Sequence, residues 1–421
     1  MSYQRLKSPL PTEIYEEIIE WVDALELRLF ERKRLSVGQR RIRLSALHSC
    51  ALTCRAWLPT SRACLYGHLI FISTDKTPHE RLVQSLDANP WLRTLITRFD
   101  VIDDANWFIS DVCGSVTHAS NPQPTSTISH TWAFMLAGKL PCLHSITVAF
   151  ADGLARRPQF VRSLQTFSTV STLSLAWFES GSIADLLRLL AAFPNLRTLT
   201  LDGMRWKPSG MRAVVPSRQY PALATLTIVN TWFSEHDVWS EALYALLQAV
   251  AHTIKVLVLD LPSIPYDQPD ERMITTHLLL SNLAILHIRL GRRVFGTTVE
   301  HEPQQYEVVM NWVSRVAPAL KRLVLELAPF DSESANDVWP TDSYIQVMMK
   351  RLAGTYLSRI RMLPILSAPN TKITLLLYHE SPQTEEDRAF FATKATAYLE
   401  EVMSSFKQCP RIKVICCGLT G

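Results

Sequence analysis

A short phrase returns along most of this 421-residue chain and limits what the chain can fold into. It reads NPWLRTLITRF at 89–99, LPCLHSITVAF at 140–150, STVSTLSLAWF at 168–178, FPNLRTLTLDG at 193–203 and YPALATLTIVN at 220–230. It continues as HTIKVLVLDL at 252–261, SNLAILHIRL at 281–290 and APALKRLVLEL at 317–327, with degenerate copies around Lys372–Tyr378 and at 409–418. Aligned on Leu92, Leu143, Val170, Leu196, Leu223, Ile254, Leu283 and Leu320, the copies stand 51, 27, 26, 27, 31, 29 and 37 residues apart. Within a copy two further apolar residues alternate, as Leu199 and Leu201 do, which puts both on one side of a strand. Between copies, the apolar spacing predicts helices over 183–193, 237–251, 305–316, 343–352 and 388–406. Ser234-x-x-Asp237, Thr77-x-x-Glu80 and Thr384-x-x-Asp387 read as helix N-terminal capping signals. Pro90, Pro141, Pro194, Pro221, Pro318 and Pro410 end one element before the next strand begins.

A period near 26–31 with LxxLxL at its centre resembles leucine-rich repeats. The fold this implies is α/β: an irregular curved solenoid with a parallel sheet, in which each unit buries its apolar face only against its neighbours. Side chains opposite the core leucines then line the concave face. In the early copies these are small hydroxyls, Ser145, Thr147, Thr172, Ser174, Thr198, Thr200, Thr225 and Thr227, residues that also simply suit a strand. From the sixth copy they become Val256, Val258 and Asp260, then Ile285, His287 and Arg289, then Arg322, Val324 and Glu326. Interfaces combine an apolar centre with arginine and a polar rim. Asp260, Ile285, His287, Arg289, Arg322, Val324 and Glu326 are therefore the candidates for binding a target protein. The intervening stretches 111–127, 202–219, 262–273 and 328–342, rich in Pro, Ser or acids, read as surface loops.

The opening of the chain has a different pattern. Leu10-Pro11 precedes a stretch with Glu13, Glu16 and Glu17 in its first turn, the charge that a helix N-terminus favours. Ile14, Ile18, Val22, Leu25 and Leu29 follow on one helical face, and Leu47, Ala51, Cys54, Trp57 and Leu58 repeat the pattern in a second segment. So few residues cannot bury two such stripes internally, and a partner is expected to cover them. Leu10, Pro11, Glu13, Ile14 and Ile18, then Leu52, Cys54, Arg55 and Trp57, closed by Leu65-Tyr66 and Ile70, resemble an F-box of the expanded fungal type. The resemblance implies a short all-helical head at 8–70, ahead of the repeat-like domain at 71–421. It further implies that Leu10, Pro11, Ile14, Ile18, Leu52, Cys54 and Trp57 dock on a Skp-type adaptor, and through it a cullin. The chain would then be a non-catalytic adaptor bringing a target to a ubiquitin ligase. The alternative is a leucine-rich-repeat interaction scaffold with no ligase link. Residues 25–44 make a connection longer than a minimal F-box has. Arg28, Arg32, Lys33, Arg34, Arg40, Arg41 and Arg43 in it read either as an import signal or anion site, or, more plainly, as a solvated cationic helix face.

Composition excludes several functions. A net charge of +4 implies no polyanion partner for the surface as a whole, so nucleic acid is not expected. With 47% hydrophobic residues and 13 glycines the chain is not of a disordered type. The absence of an apolar run of spanning length or an apolar leader leads one to expect a protein of the cytoplasm or nucleus with no membrane contact. The eight cysteines suit a reducing compartment as buried thiols, and none has histidines at a zinc-like spacing. No GxSxG, HExxH, Walker-type or dinucleotide glycine motif occurs. The expectation is no enzyme, no cofactor and no metal.

Overall fold

The computed structural model describes residues 14, 16–19, 37–53, 55–72, 77–102, 131–149, 157–180, 182–206, 220–229, 236–261, 278–290, 317, 319–327, 371–379, 393, 397 and 412–418. The helices expected at 305–316 and 343–352, all but two residues of the one at 388–406, and the loops at 111–127 and 262–273 lie outside these residues. The chain divides into two compact units. One comprises Met1–Ser120, Thr125–Thr147 and Gly421, the other Asn121–Pro124 and Val148–Thr420.

In the first unit, helical residues Ile14 and Glu16–Ile19 precede α1 (Val37–Thr53), α2 (Leu58–Gly67) and β1 (His68–Ile72). Then come α3 (Thr77–Ala88), α4 (Leu92–Leu95), β2 (Arg98–Ile102), α5 (Thr131–Met135) and β3 (Ser145–Ala149), within which the division falls. The second head segment is thus two helices, broken after Thr53, with Pro59 in the first turn of the second, where its missing N–H costs nothing. β1 and β2 pair in parallel, His68 opposite Arg98 and Phe71 opposite Val101. The first copy of the phrase does not lie as its leucines suggest. Leu92 and Leu95 belong to a short helix, and the strand starts only at Arg98. Ile96, Phe99 and Val101 take the three core positions instead and are at most 1% exposed. Bulk explains the substitution: Phe99 packs on Phe71 and on Trp132 of α5, with ring centroids 6.3 and 5.4 Å apart.

In the second unit every strand of the main sheet pairs in parallel with the next copy of the phrase. The order is β4 (Thr172–Ala176), β6 (Thr198–Asp202), β8 (Thr225–Val229), β9 (Val256–Leu261), β10 (Ile285–Leu290), β11 (Arg322–Leu327), β12 (Lys372–His379) and β13 (Ile412–Gly418). Two-residue strands β5 (Glu179–Ser180) and β7 (Arg205–Trp206) form a separate small parallel pair. Spatial order follows sequence order, which is the arrangement of a leucine-rich-repeat-like stack. Leu173, Leu199, Leu226, Leu257, Leu286 and Leu323 occupy equivalent, neighbouring positions and each is at most 1% exposed. Their strand neighbours on the other face, Thr172, Ser174, Thr198, Thr200, Thr225 and Thr227, are half-buried.

Helices stand between the strands. Among the described residues these are α6 (Pro158–Leu164), α7 (Ile183–Leu190) and α8 (His236–Val250). α7 buries Ile183, Leu186, Leu187, Leu189 and Leu190, and Ser182 caps it by accepting the Asp185 N–H at 3.2 Å. That Ser-x-x-Asp signal was present in the sequence beside the ones read there. At the end of β4 the chain turns through Trp177, whose φ is +52°, and its N–H reaches the Asp202 carbonyl at 2.7 Å. Gly203 lies against that indole; a Cβ there would come within 2.9 Å of the ring, and its own φ is +64°.

One hydrogen-bond motif sets the register of both units. The residue just before six of the strands offers its carbonyl to two successive N–H groups of the next copy: Thr97 to His144 and Ser145, Ser171 to Arg197 and Thr198, Arg197 to Ala224 and Thr225. Ala224 serves Lys255 and Val256, Lys255 serves Ala284 and Ile285, and Ala284 serves Lys321 and Arg322. Asn195 and Asn282 add side-chain bonds to the preceding copy, to the carbonyls of Ser168 and His252.

The two faces of the sheet should respond differently to truncation. Leu199→Ala or Leu226→Ala is expected to destabilise the fold by about 2–5 kcal/mol, the cost of a cavity in a packed core. Thr198→Ala or Thr225→Ala should cost well under half of that in the same thermal or denaturant melts.

Candidate functional site

On β9 to β12 the residues that alternate with the core positions fall into three cross-strand rows by register. The first is Val256, Ile285, Arg322 and Lys372; the second Val258, His287, Val324 and Thr374; the third Asp260, Arg289, Glu326 and Leu376. All seven residues read as target-binding candidates therefore hold neighbouring register positions on three adjacent strands. They are not equally available. Arg322 is exposed, and Ile285, His287, Arg289 and Glu326 are half-buried. Val324 is 6% exposed, which corrects its reading as open binding surface. A short side chain framed by Arg322 and Glu326 along its strand, and by His287 and Thr374 across it, is covered by longer neighbours.

Glu326 organises the charged part of this face. Arg289 donates through Nε to Glu326 Oε2 at 2.9 Å, and His287 Nε2 approaches the same oxygen to 2.7 Å. The histidine contact has the distance of an ion pair without hydrogen-bond alignment. Burial pushes the Glu326 carboxyl up, but His287 and the Arg289 guanidinium outweigh it, so the group sits below its ordinary 4.5. Arg289 is thus already committed within the fold, while Arg322 has no carboxylate partner among the described residues.

The sequence reading missed a second centre of the same form. In the first unit, Asp100 is 1% exposed and lies 2.7 Å from His68 Nε2, with Arg98 Nε at 3.3 Å. Burial pushes its carboxyl up, but His68, Arg98 and a hydrogen bond from Thr147 bring it below its ordinary 3.8. Both centres share one geometry: the carboxylate stands two residues beyond the histidine's register partner on the next parallel strand. The signal available in sequence was an acid at the third position of a strand, with a histidine two positions earlier in the preceding one.

At the head, Ile19 is fully buried with Leu47 and Leu65, and Cys50, Ala51, Trp57, Cys64 and Tyr66 pack around them. Ile14 and Ile18, one turn apart, are 41% and 40% exposed, and Leu52 is 85% exposed. The anchor is therefore the next residue round the helix, Ile19, which the apolar stripe passes over. Leu10, Pro11 and Cys54 lie outside the described residues. Of the basic insertion, residues 37–43 form the start of α1. Trp91 is 44% exposed, with Arg62 over its ring at 5.4 Å and Tyr66 edge-on at 6.0 Å.

Cys50, Cys64 and Cys142 stand half-buried where burial was expected. Among the described residues no group of three His, Cys, Asp or Glu is placed to hold a metal ion, and no helix is long and apolar enough to cross a membrane.

No family model matches the chain, and no curated protein matches it. Among solved structures, the leucine-rich repeat-containing protein LegL7 from Legionella pneumophila is similar over 84% of this chain and 92% of its own length, at 14% identity and a TM-score of 0.40. At that distance the likeness carries no argument, and the repeat architecture rests on the strand register described above.

Because Glu326 ionises more readily folded than unfolded, its contribution to stability is complete above its ordinary value and is lost as pH falls through the folded one. Melts of wild type and Glu326→Gln between pH 7 and pH 3 should show a gap that narrows toward the acid end. A constant gap would mean that the carboxylate charge contributes nothing.

Proposed function

We propose that this chain is the target-recognition subunit of a Skp-cullin-F-box ubiquitin ligase. In this reading the N-terminal helices hold a Skp-type adaptor and the repeat sheet holds a target protein. It does no chemistry itself and acts by keeping its target near the conjugating enzyme. One observation carries the reading: Ile14, Ile18 and Leu52, three of the positions that match the F-box pattern, are exposed apolar side chains. The head is meanwhile anchored from within by Ile19, Leu47 and Leu65. Apolar side chains beside a packed core that does not need them suit a surface completed by a partner.

The rows on β9 to β12 support the second half of the reading. They combine exposed Arg322 with half-buried Ile285 and a charged centre at Glu326, the mixture that recognition surfaces use. A repeat scaffold without the ligase link would share this half and lack the first.

Co-purification with the Skp-type adaptor separates the two. Ile18→Asp and Leu52→Asp should each weaken adaptor binding at least about tenfold, since a charge placed in an apolar contact has no partner there. Both sites are exposed in the free chain, so melting temperatures should hold. Ile19→Asp should instead unfold the head. Wild-type adaptor binding by the first two variants, or none by the wild type, would end the ligase reading.

Target binding should weaken in Arg322→Glu with adaptor binding intact. Arg289→Glu is a poorer probe, because it sets a second carboxylate against Glu326.

A further inference from the structure

The residue immediately before each strand follows an alternation that no repeat motif requires. Before β6, β8, β9, β10 and β11, five consecutive neighbours in the sheet, stand Arg197, Ala224, Lys255, Ala284 and Lys321. The three cations are exposed and the two alanines half-buried. Arg322 and Lys372 open β11 and β12 beside them and are also exposed. Among the described residues none of these five cations pairs with a carboxylate. The described acids on the main-sheet strands of the second unit, Asp202, Asp260 and Glu326, lie toward the opposite strand ends.

We propose that these strand starts form a cationic rail that binds an extended acidic segment of a partner protein. This rests on the reading of the repeat sheet as a target-binding surface and names the chemistry of the target. Neighbouring strands lie about 4.8 Å apart, so cations on every second strand recur at about 9.6 Å. A polyproline-type segment rises about 3.1 Å per residue with three residues per turn, which returns every third side chain to one face after about 9.3 Å. A fully extended strand would turn its third residue to the other face. The matching segment therefore carries Asp or Glu at every third position and is rich in proline. The alanines between the cations keep the rail low enough for a backbone to lie along it.

The rail is also rigid at its base. Arg197, Ala224, Lys255 and Ala284 each use their carbonyl to clamp the next copy, so the cations project from a fixed backbone and little backbone freedom is lost on binding. Spaced at about a Debye length, they repel one another weakly and respond to salt. Channels for single-stranded nucleic acid interleave cations with aromatic platforms, and here alanines hold the intervening places.

The test is a titration of the full chain with a labelled peptide of repeating Glu-Pro-Pro. A peptide of the same composition with its glutamates contiguous, and an oligothymidine of similar length, serve as comparisons. The spaced peptide should bind best, and more weakly as salt rises from about 0.05 to about 0.3 M. Arg197→Ala/Lys255→Ala/Lys321→Ala should lose about tenfold in affinity with an unchanged melting curve, and Lys255→Gln alone about two- to threefold. Failure of the spaced peptide to bind, equal binding by the triple variant, or tighter oligothymidine binding through the same residues overturns the rail. If the rail fails while Arg322→Glu still weakens binding of an isolated target, the target-binding reading stands without it.

Discussion

The carbonyl just before the strand in most copies of the phrase receives two N–H groups from the next copy, and most of the second unit depends on that contact. A parallel strand pair has no hairpin to set its register, because the chain leaves and returns over dozens of residues. Register must then be fixed where the strand begins. A shared acceptor does this: it aligns the first residue of each strand with the first of its neighbour, and the alternation of side chains carries the alignment onward. Leu199 meets Leu226, Leu226 meets Leu257, and a slip of one residue would turn all of them outward at once. The leucine core is as much a consequence of the clamp as its driving force.

That division of labour leaves the other face free to differ from strand to strand. On β4, β6 and β8 it carries mostly small, half-buried hydroxyls, residues that also simply suit a strand. On β10 and β11 it carries His287, Arg289, Arg322 and Glu326, where one carboxylate draws in two bases and leaves Arg322 uncommitted. The Asp100 centre in the first unit uses the same diagonal geometry, but its carboxylate is buried, so its role is structural: removing the acid would take the carboxylate from both His68 and Arg98. Exposure, more than residue type, separates a candidate site from a structural pair here.

The sequence made the repeats legible because LxxLxL needs only local spacing, and from Val170 to Leu320 every aligned residue proves to be buried. It misled at Leu92, where leucines at the right spacing form a helical turn and Ile96, Phe99 and Val101 make the strand; leucine content outweighed the aromatic bulk that Trp132 required. Val324 was misjudged because alternation predicts a face and says nothing of how tall the neighbours are. Ile19 was passed over for Ile14 and Ile18, since periodicity finds a stripe without telling inside from outside. Net charge hid the cations at the strand starts, because the chain as a whole carries 39 acids against 43 bases.

A stack whose register is settled at each strand's first residue tolerates whatever lies between strands. The spans from one aligned residue to the next range from 26 to 51 residues in this chain, yet the clamp recurs with little change. Such a protein can gain or lose material in two currencies. Length added between strands alters only what the loops present. Removal of a repeat that carries Ala224 or Ala284 would shift every later strand by one place, so that two of the alternating cations would become neighbours at about half their present distance. Loop length is thus open to change without consequence for the sheet, whereas a change in the number of repeats alters the spacing of the cations along it.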